Sequence, residues 1–347
     1  MTEYKQVGSW KGDPSILDQG TATAVKANSI SPTERAPQDK SEGDIGRLPR
    51  PRTFASKWSG RRERLTPYAF LCPATLALAI AFLLPMAEAV RLSLHSNGTG
   101  FGQSDFNGLA NYSRILSDSY FYHSLWISVL YSAGNVILVW AIGLGTAMLV
   151  QGNFAGRWLI RCLFILPWAV PYVATALIWQ WMFNYEFGVV PYLAGEAANF
   201  SADFLNSNPA ALMTVTGVSI WKAYPLGTVM MLAGLQSIPQ QQYEAATVDG
   251  AGPIAQFIYV TLPGLRTIST FLMLLIAIWS FGRAFTIIYI MTGGGPARGT
   301  ETVVLRSYLE VFRFFHPGTG AALGIIVLLI SFSLSSVYLT LLYRAER

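Results

Sequence analysis

Six long apolar stretches, near 68–90, 125–150, 159–182, 210–235, 267–290 and 321–342, limit this chain more than anything else in its sequence. At ~1.5 Å of rise per residue, a helix of such length crosses a hydrocarbon core of ~30 Å. Only 12% of the residues are charged, against about 25% in soluble domains. In a bilayer the backbone must satisfy its own hydrogen bonds, which a helix does within one segment. The sequence therefore predicts an all-α polytopic membrane protein with six transmembrane helices.

Residues 1–57 are polar, mix Ser, Thr, Asp, Lys, Gln and Pro, and show no apolar periodicity. Such a segment buries too little to offset its ordering entropy and is expected to be disordered. A signal peptide would begin near the terminus, so the first stretch is read as a retained span. Arg47, Arg50, Arg52, Lys57, Arg61, Arg62 and Arg64 precede that span. With Arg157, Arg344 and Arg347 they place both termini in the cytoplasm by the positive-inside rule. The 184–209 loop, which lacks Lys and Arg, then lies outside; Arg298, Arg306 and Arg313 in the 292–316 loop weaken this rule without reversing it. The expected division is a basic cytoplasmic tail, 1–65, and a membrane domain, 66–347. The net charge of +5 concentrates at membrane flanks and forms no basic face with interleaved aromatics, so nucleic acid is not an expected partner. Cys72 and Cys162 lie in apolar runs and read as buried thiols; neither they nor His95, His123 and His316 have metal-ligand spacing.

The polar interruption at 241–266 is different in kind. Glu244 to Asp249 suits a short helix, with Pro239 just upstream. Gly250, Gly252 and Pro253 break it, and a second helical run, 254–260, leads to Leu262-Pro263. Small alanines at 245 and 246 permit close approach of another protein, and Glu244 and Asp249 offer it carboxylates.

This pattern (Glu244-Ala245-Ala246, Asp249-Gly250-Ala251, Phe257, Leu262-Pro263) resembles the EAA loop of the permease subunits of bacterial binding-protein-dependent ABC importers. Val260 replaces the usual isoleucine there, and Thr267 stands where a proline is common. FNGLANYSRIL at 106–116, LPWAVPYVATALIWQWMFN at 166–184 and TGGGPARGTET at 292–302 resemble segments of the MalF-like carbohydrate branch. The resemblance implies that loop 237–263 is a cytoplasmic coupling helix docking on an ATPase through Glu244, Ala245, Ala246, Asp249, Gly250 and Ala251. It also implies a second homologous permease, an ATP-binding subunit dimer, an extracytoplasmic solute-binding protein and a bacterial inner membrane. The implied function is ATP-driven import of a sugar or sugar derivative.

The chain itself carries no GxxxxGK[ST] phosphate cradle and no nucleophilic or acid–base constellation. It is expected to be non-enzymatic and to bind no cofactor or metal, with ATP and Mg in the partner ATPase. The alternative is a secondary transporter or channel; it would need a coupling-ion site or filter, and the spans hold no mid-membrane Asp or Glu cluster. Ionisable groups inside spans cost about 2.5–3.5 kcal/mol at the centre and mark pathways or special contacts. Lys222 and Arg283 are such groups, Lys222 with a backbone-carbonyl contact as the competing reading; Arg161 is placed to snorkel. Trp168 and Tyr172, flanking Pro167 and Pro171, and Trp221 are the aromatic pathway candidates, whereas Trp179 and Trp181 suit an interfacial belt.

Deleting residues 2–45 keeps the basic run, and membrane topology and uptake are expected to survive. Accessibility labelling and a transport assay check this; lost assembly would show a function in the tail.

Overall fold

The computed structural model describes residues 59–96, 105–152, 155–198, 203–283 and 285–345. The expectations for residues 1–57 lie outside these. The chain divides into two units, Met1–Leu65 and Thr66–Arg347. The elements are α1 (Ser59–Ser93), α2 (Ala110–Ser117), α3 (Ser119–Gln151), α4 (Arg157–Ala169), α5 (Tyr172–Met182), α6 (Val189–Ala198) and α7 (Ala210–Ser237), then α8 (Gln240–Val248), α9 (Pro253–Gln256), a π-helical turn (Phe257–Thr261), α10 (Leu262–Gly264), α11 (Arg266–Arg283), α12 (Phe285–Met291), α13 (Val303–Phe312) and α14 (Pro317–Ala345). One isolated bridge, His95 to Phe106, is the extent of β-pairing among the described residues.

Among the described residues, four helices are each long and apolar enough to cross a membrane: Phe70–Ser93, Ser119–Gln151, Ala210–Ser237 and Pro317–Val337. Two bent pairs raise the count to six: α4 with α5, which meet at 97°, and Pro253–Gly264 with Arg266–Gly282, at 65°. The third apolar stretch, expected as one span, is thus broken. Pro171 has no N–H to continue the ladder, and Val170 and Pro171 are extended, with ψ of 131° and 145°.

The bundle is centred on α3 against α7. Gly143 of α3 faces Gly227 of α7 so closely that a Cβ on Gly143 would lie 2.8 Å from the Gly227 carbonyl carbon. Ala147, one turn on, is fully buried. The small pair Gly143/Ala147 therefore does what its spacing suits it to do. Beside it the hydroxyls of Thr146 and Thr228 stand 2.6 Å apart, linking the helices by a hydrogen bond. Around this seam pack Val139, Leu144, Ile220, Met231 and Leu235, joined by Leu272 and Ile276 of α11. From α4, Arg161 donates to the Val150 carbonyl at 3.0 Å, so its charge serves the last turn of α3 rather than only reaching for the interface.

The recurring loop segments are structural joints. In 106–116, Asn111 donates from Nδ2 to the carbonyls of Ser93 (2.8 Å) and His95 (2.7 Å), and the Tyr112 hydroxyl donates to Ser93 Oγ. In 292–302, the Thr292 and Thr300 hydroxyls stand 2.7 Å apart, Thr300 donates to the Gly295 carbonyl, and Thr302 caps α13. The Val303 N–H donates to Ser128 Oγ at 2.9 Å, fastening α13 to α3. Asp118 caps α3 and pairs with Arg306 of α13. Burial raises the Asp118 carboxyl, but the Arg306 hydrogen bond, the Tyr120 N–H and the Arg306 and Arg298 charges outweigh it and hold it below the usual range.

Cys72 and Cys162 are exposed on the chain's own surface, not buried. An apolar run marks a face suited to lipid or another membrane subunit as readily as a core. The α1 span shows this throughout, with Phe70, Leu76, Phe82 and Leu84 all exposed.

Gly143→Val is expected to overpack the α3–α7 seam at a cost of about 1–3 kcal/mol. Gly145→Ala, where a Cβ meets nothing within 4 Å, is the control. Thermal unfolding in detergent should separate them; equal midpoints would refute close approach at Gly143.

Candidate coupling loop and translocation pathway

The α8 helix ends in a Schellman closure. The Ala251 N–H donates to the Ala246 carbonyl (2.8 Å) and the Gly250 N–H to that of Thr247 (3.0 Å). Gly250 stands at φ +81°, the left-handed region that a side chain resists. Gln256 braces the turn from the far side, donating from Nε2 to Thr247 Oγ1 (3.0 Å) and to the Ala251 carbonyl (3.1 Å). The hydroxyls of Tyr243 and Thr261 stand 3.0 Å apart, joining α8 to the π-helical turn that feeds the α10–α11 span. Pro253 opens α9 at its first position. The second helical run, expected over 254–260, is instead α9 followed by that π-helical turn.

The loop is held from behind and open in front. Glu244, Ala245 and Asp249 are exposed, and among the described residues neither carboxylate makes a hydrogen bond or ion pair. Val248 (88%), Ile254 (77%) and Tyr259 (78%) are exposed beside them. Apolar side chains and unpaired carboxylates on a braced turn form a surface suited to a protein carrying donors and an apolar groove.

The pathway candidates do not converge on one place. Trp168 is 55% exposed and lies apart from the interior, although its backbone carbonyl is engaged. Tyr172 turns inward, into a narrow cleft of about 20 Å³ with mixed polar and apolar walls where α3, α5, α7 and α11 meet. Tyr131, Asn135, Ser219, Trp279 and Ser280 line this cleft with it. The sequence reading did not name these five; polar side chains spaced i, i+4 within an apolar span, as in Tyr131 and Asn135, were the available signal.

Trp221 lies outside the cleft. With Trp179, Phe183 and Phe204 it lines an apolar hollow of about 450 Å³. The Trp179 and Trp221 rings meet edge to face at 5.4 Å, so Trp179 belongs to this aromatic group rather than to an isolated belt position. Trp181 is 57% exposed. Lys222 is 3% exposed and donates to the carbonyls of Pro167 (3.0 Å), Trp168 (2.8 Å) and Val170. The Arg283 backbone lies in α11, and its side chain lies outside the described residues.

Residues 138–345, which contain these positions except Tyr131 and Asn135, match the family described as binding-protein-dependent transport system inner membrane component. The trehalose/maltose transport system permease protein MalF of Thermococcus litoralis is 32% identical over 80% of this chain and 94% of its own length. The sulfoquinovosyl glycerol permease protein SmoG of Agrobacterium fabrum is 33% identical over 83% and 93%. The sn-glycerol-3-phosphate permease protein UgpA of the same organism is 30% identical over 79% and 93%. Among solved structures, a bacterial ABC transporter that imports the acidic polysaccharide alginate matches with a TM-score of 0.71 at 17% identity, covering 83% of this chain and 99% of that one. The same transporter type, in complex with an alginate pentasaccharide-bound periplasmic protein, matches at 0.69. The shared helical architecture, the family match across the coupling loop and relatives aligned over most of their length agree: the chain belongs to the inner membrane components of binding-protein-dependent transport systems, the permeases of ABC importers.

Proposed function

We propose that this chain is the transmembrane permease subunit of an ATP-driven importer for a sugar or sugar derivative. It forms half of the translocation pathway with a second homologous permease. The reading rests on one observation above others: a braced, left-handed turn presents Glu244 and Asp249 unpaired and exposed, in a family defined by dependence on a binding protein. ATP and Mg belong to a partner ATPase dimer that docks on this turn, and a solute-binding protein delivers the solute to the opposite face. Basic residues flanking the first and last spans support cytoplasmic termini and a cytoplasmic coupling loop. The named solutes of the relatives are polyhydroxylated, some neutral and some bearing a sulfonate or phosphate, which supports a carbohydrate-type cargo here.

Gly250→Val should strain the turn, since a β-branched residue resists φ +81° at a cost of about 1–3 kcal/mol. The permease should still insert, while co-purification of the ATP-binding chain and uptake both fall. Full uptake with full ATPase association would remove the docking role.

Arg283 lies in α11 within the fifth apolar stretch, where a guanidinium is costly and offers a planar fork of donors to an anion. Arg283→Gln should selectively reduce uptake of an anionic solute relative to a neutral analogue that the unmodified transporter also carries. Wild-type rates for both would make Arg283 structural or lipid-facing.

A further inference from the structure

Lys222 sits in the middle of α7, buried to 3% exposure, and pairs with no carboxylate among the described residues. A buried ammonium needs acceptors for its three N–H groups. It finds three backbone carbonyls, those of Pro167, Trp168 and Val170. All three lie at the C-terminal end of α4, which carries the negative end of the helix dipole. The Tyr172 ring, on the first residue of α5, lies 5.1 Å from the same Nζ.

These acceptors exist because the span is broken. In a continuous helix the Pro167 carbonyl would accept from the N–H at position 171, but that residue is proline. The extended conformation at 170 and 171 also releases the neighbouring carbonyls and turns the chain by 97°. Freed carbonyls deep in an apolar span are costly unless something returns their hydrogen bonds. One side chain from α7 does so.

We infer that Lys222 is a positioning residue: it clasps the broken third span open and thereby sets where α5 delivers Tyr172 to the polar cleft. This rests on the importer reading for its consequence, though not for its geometry. Lys222 donates its protons to backbone and not to solute. Tyr172, Tyr131, Asn135, Ser219, Trp279 and Ser280 line the cleft, whose volume of about 20 Å³ is too small for a sugar. For that cleft to admit a solute, α5 must move relative to α7, α3 or α11, and the clasp fixes the end of α5 about which it moves. The role predicts that Lys222 governs the rate of transport rather than the recognition of cargo.

The test uses the assembled transporter with Cys72 replaced by serine and Trp181 by cysteine. Spin labels on exposed Cys162 of α4 and on position 181 of α5 then span the break. Lys222→Met keeps the length of the side chain and removes its charge. The expected result is a broadened distance distribution across the break. Maximal uptake should fall about tenfold or more, as when hydrogen bonds to a buried charge are lost. The KM should stay within about twofold, since solute contacts are untouched. An unchanged distribution, or a raised KM at an unchanged maximal rate, would overturn the clasp. Should Lys222→Met fail to assemble, adding Pro171→Ala restores a backbone N–H opposite the Pro167 carbonyl. The double variant is then expected to assemble with a straighter α4–α5 and little uptake; failure to regain assembly would also overturn the clasp. The distance measurement needs no cargo, so it judges the clasp even if the chain carries no carbohydrate.

Discussion

A membrane-spanning backbone must not leave its carbonyls and amides without partners, and at two places among the described residues a basic side chain meets that demand. The larger is the 97° break between α4 and α5, where Lys222 supplies donors that Pro171 and the extended backbone withhold. The smaller is the end of α3, where Arg161 reaches the Val150 carbonyl. The two basic residues that look most expensive in the third and fourth apolar stretches therefore serve backbone geometry. The cost of burying charge is offset where a helix end concentrates unpaired carbonyls.

The α3–α7 seam permits this arrangement. Gly143 against Gly227 brings the backbones together without side chains between them, and Thr146–Thr228 adds one polar link. With these helices locked, α7 becomes a fixed post from which Lys222 extends to α4 and against which α11 packs Leu272 and Ile276. A seam made of glycines tolerates little adjustment, so motion for transport has to come from elements around it: the broken α4–α5 pair and the segment from α8 through the π-helical turn into α11.

Much of this was legible in the residues, and what was not has identifiable causes. The turn after α8 could be read because its chemistry is local: Gly250 takes a left-handed φ and Pro253 starts a helix, with Glu244, Ala245 and Asp249 exposed. The small pair at Gly143 and Ala147 was legible for the same reason. Pro167 and Pro171 marked a disturbance in the third span, but a proline states that a helix is interrupted and not by what angle. The partner that holds the interruption comes from 52 residues further on, in α7. The polar cleft escaped notice because Tyr131, Ser219 and Ser280 are unremarkable one span at a time and become a cleft only when α3, α7 and α11 converge. Trp179 and Trp221 met for the same non-local reason. The cysteines went the other way: an apolar run shows what medium a helix prefers, and in a bilayer that medium is also on the outside.

The two breaks differ in what they connect. The π-helical turn at 257–261 carries Thr261, whose hydroxyl meets Tyr243 of the coupling helix, and continues through α10 into α11. The α11 helix places Trp279 and Ser280 against the cleft. The α4–α5 pair brings Tyr172 to the same cleft, with its ring 5.1 Å from Lys222 Nζ of α7. A displacement of the turn after α8 would thus reach one wall of the cleft through continuous backbone, while the end of α4 that leads to the other wall is held by Lys222 of α7. Relative motion of the walls, rather than motion of the whole bundle, is the cheapest way for a chain built like this to open a closed polar site, because neither the glycine seam nor the buried lysine has to be disturbed.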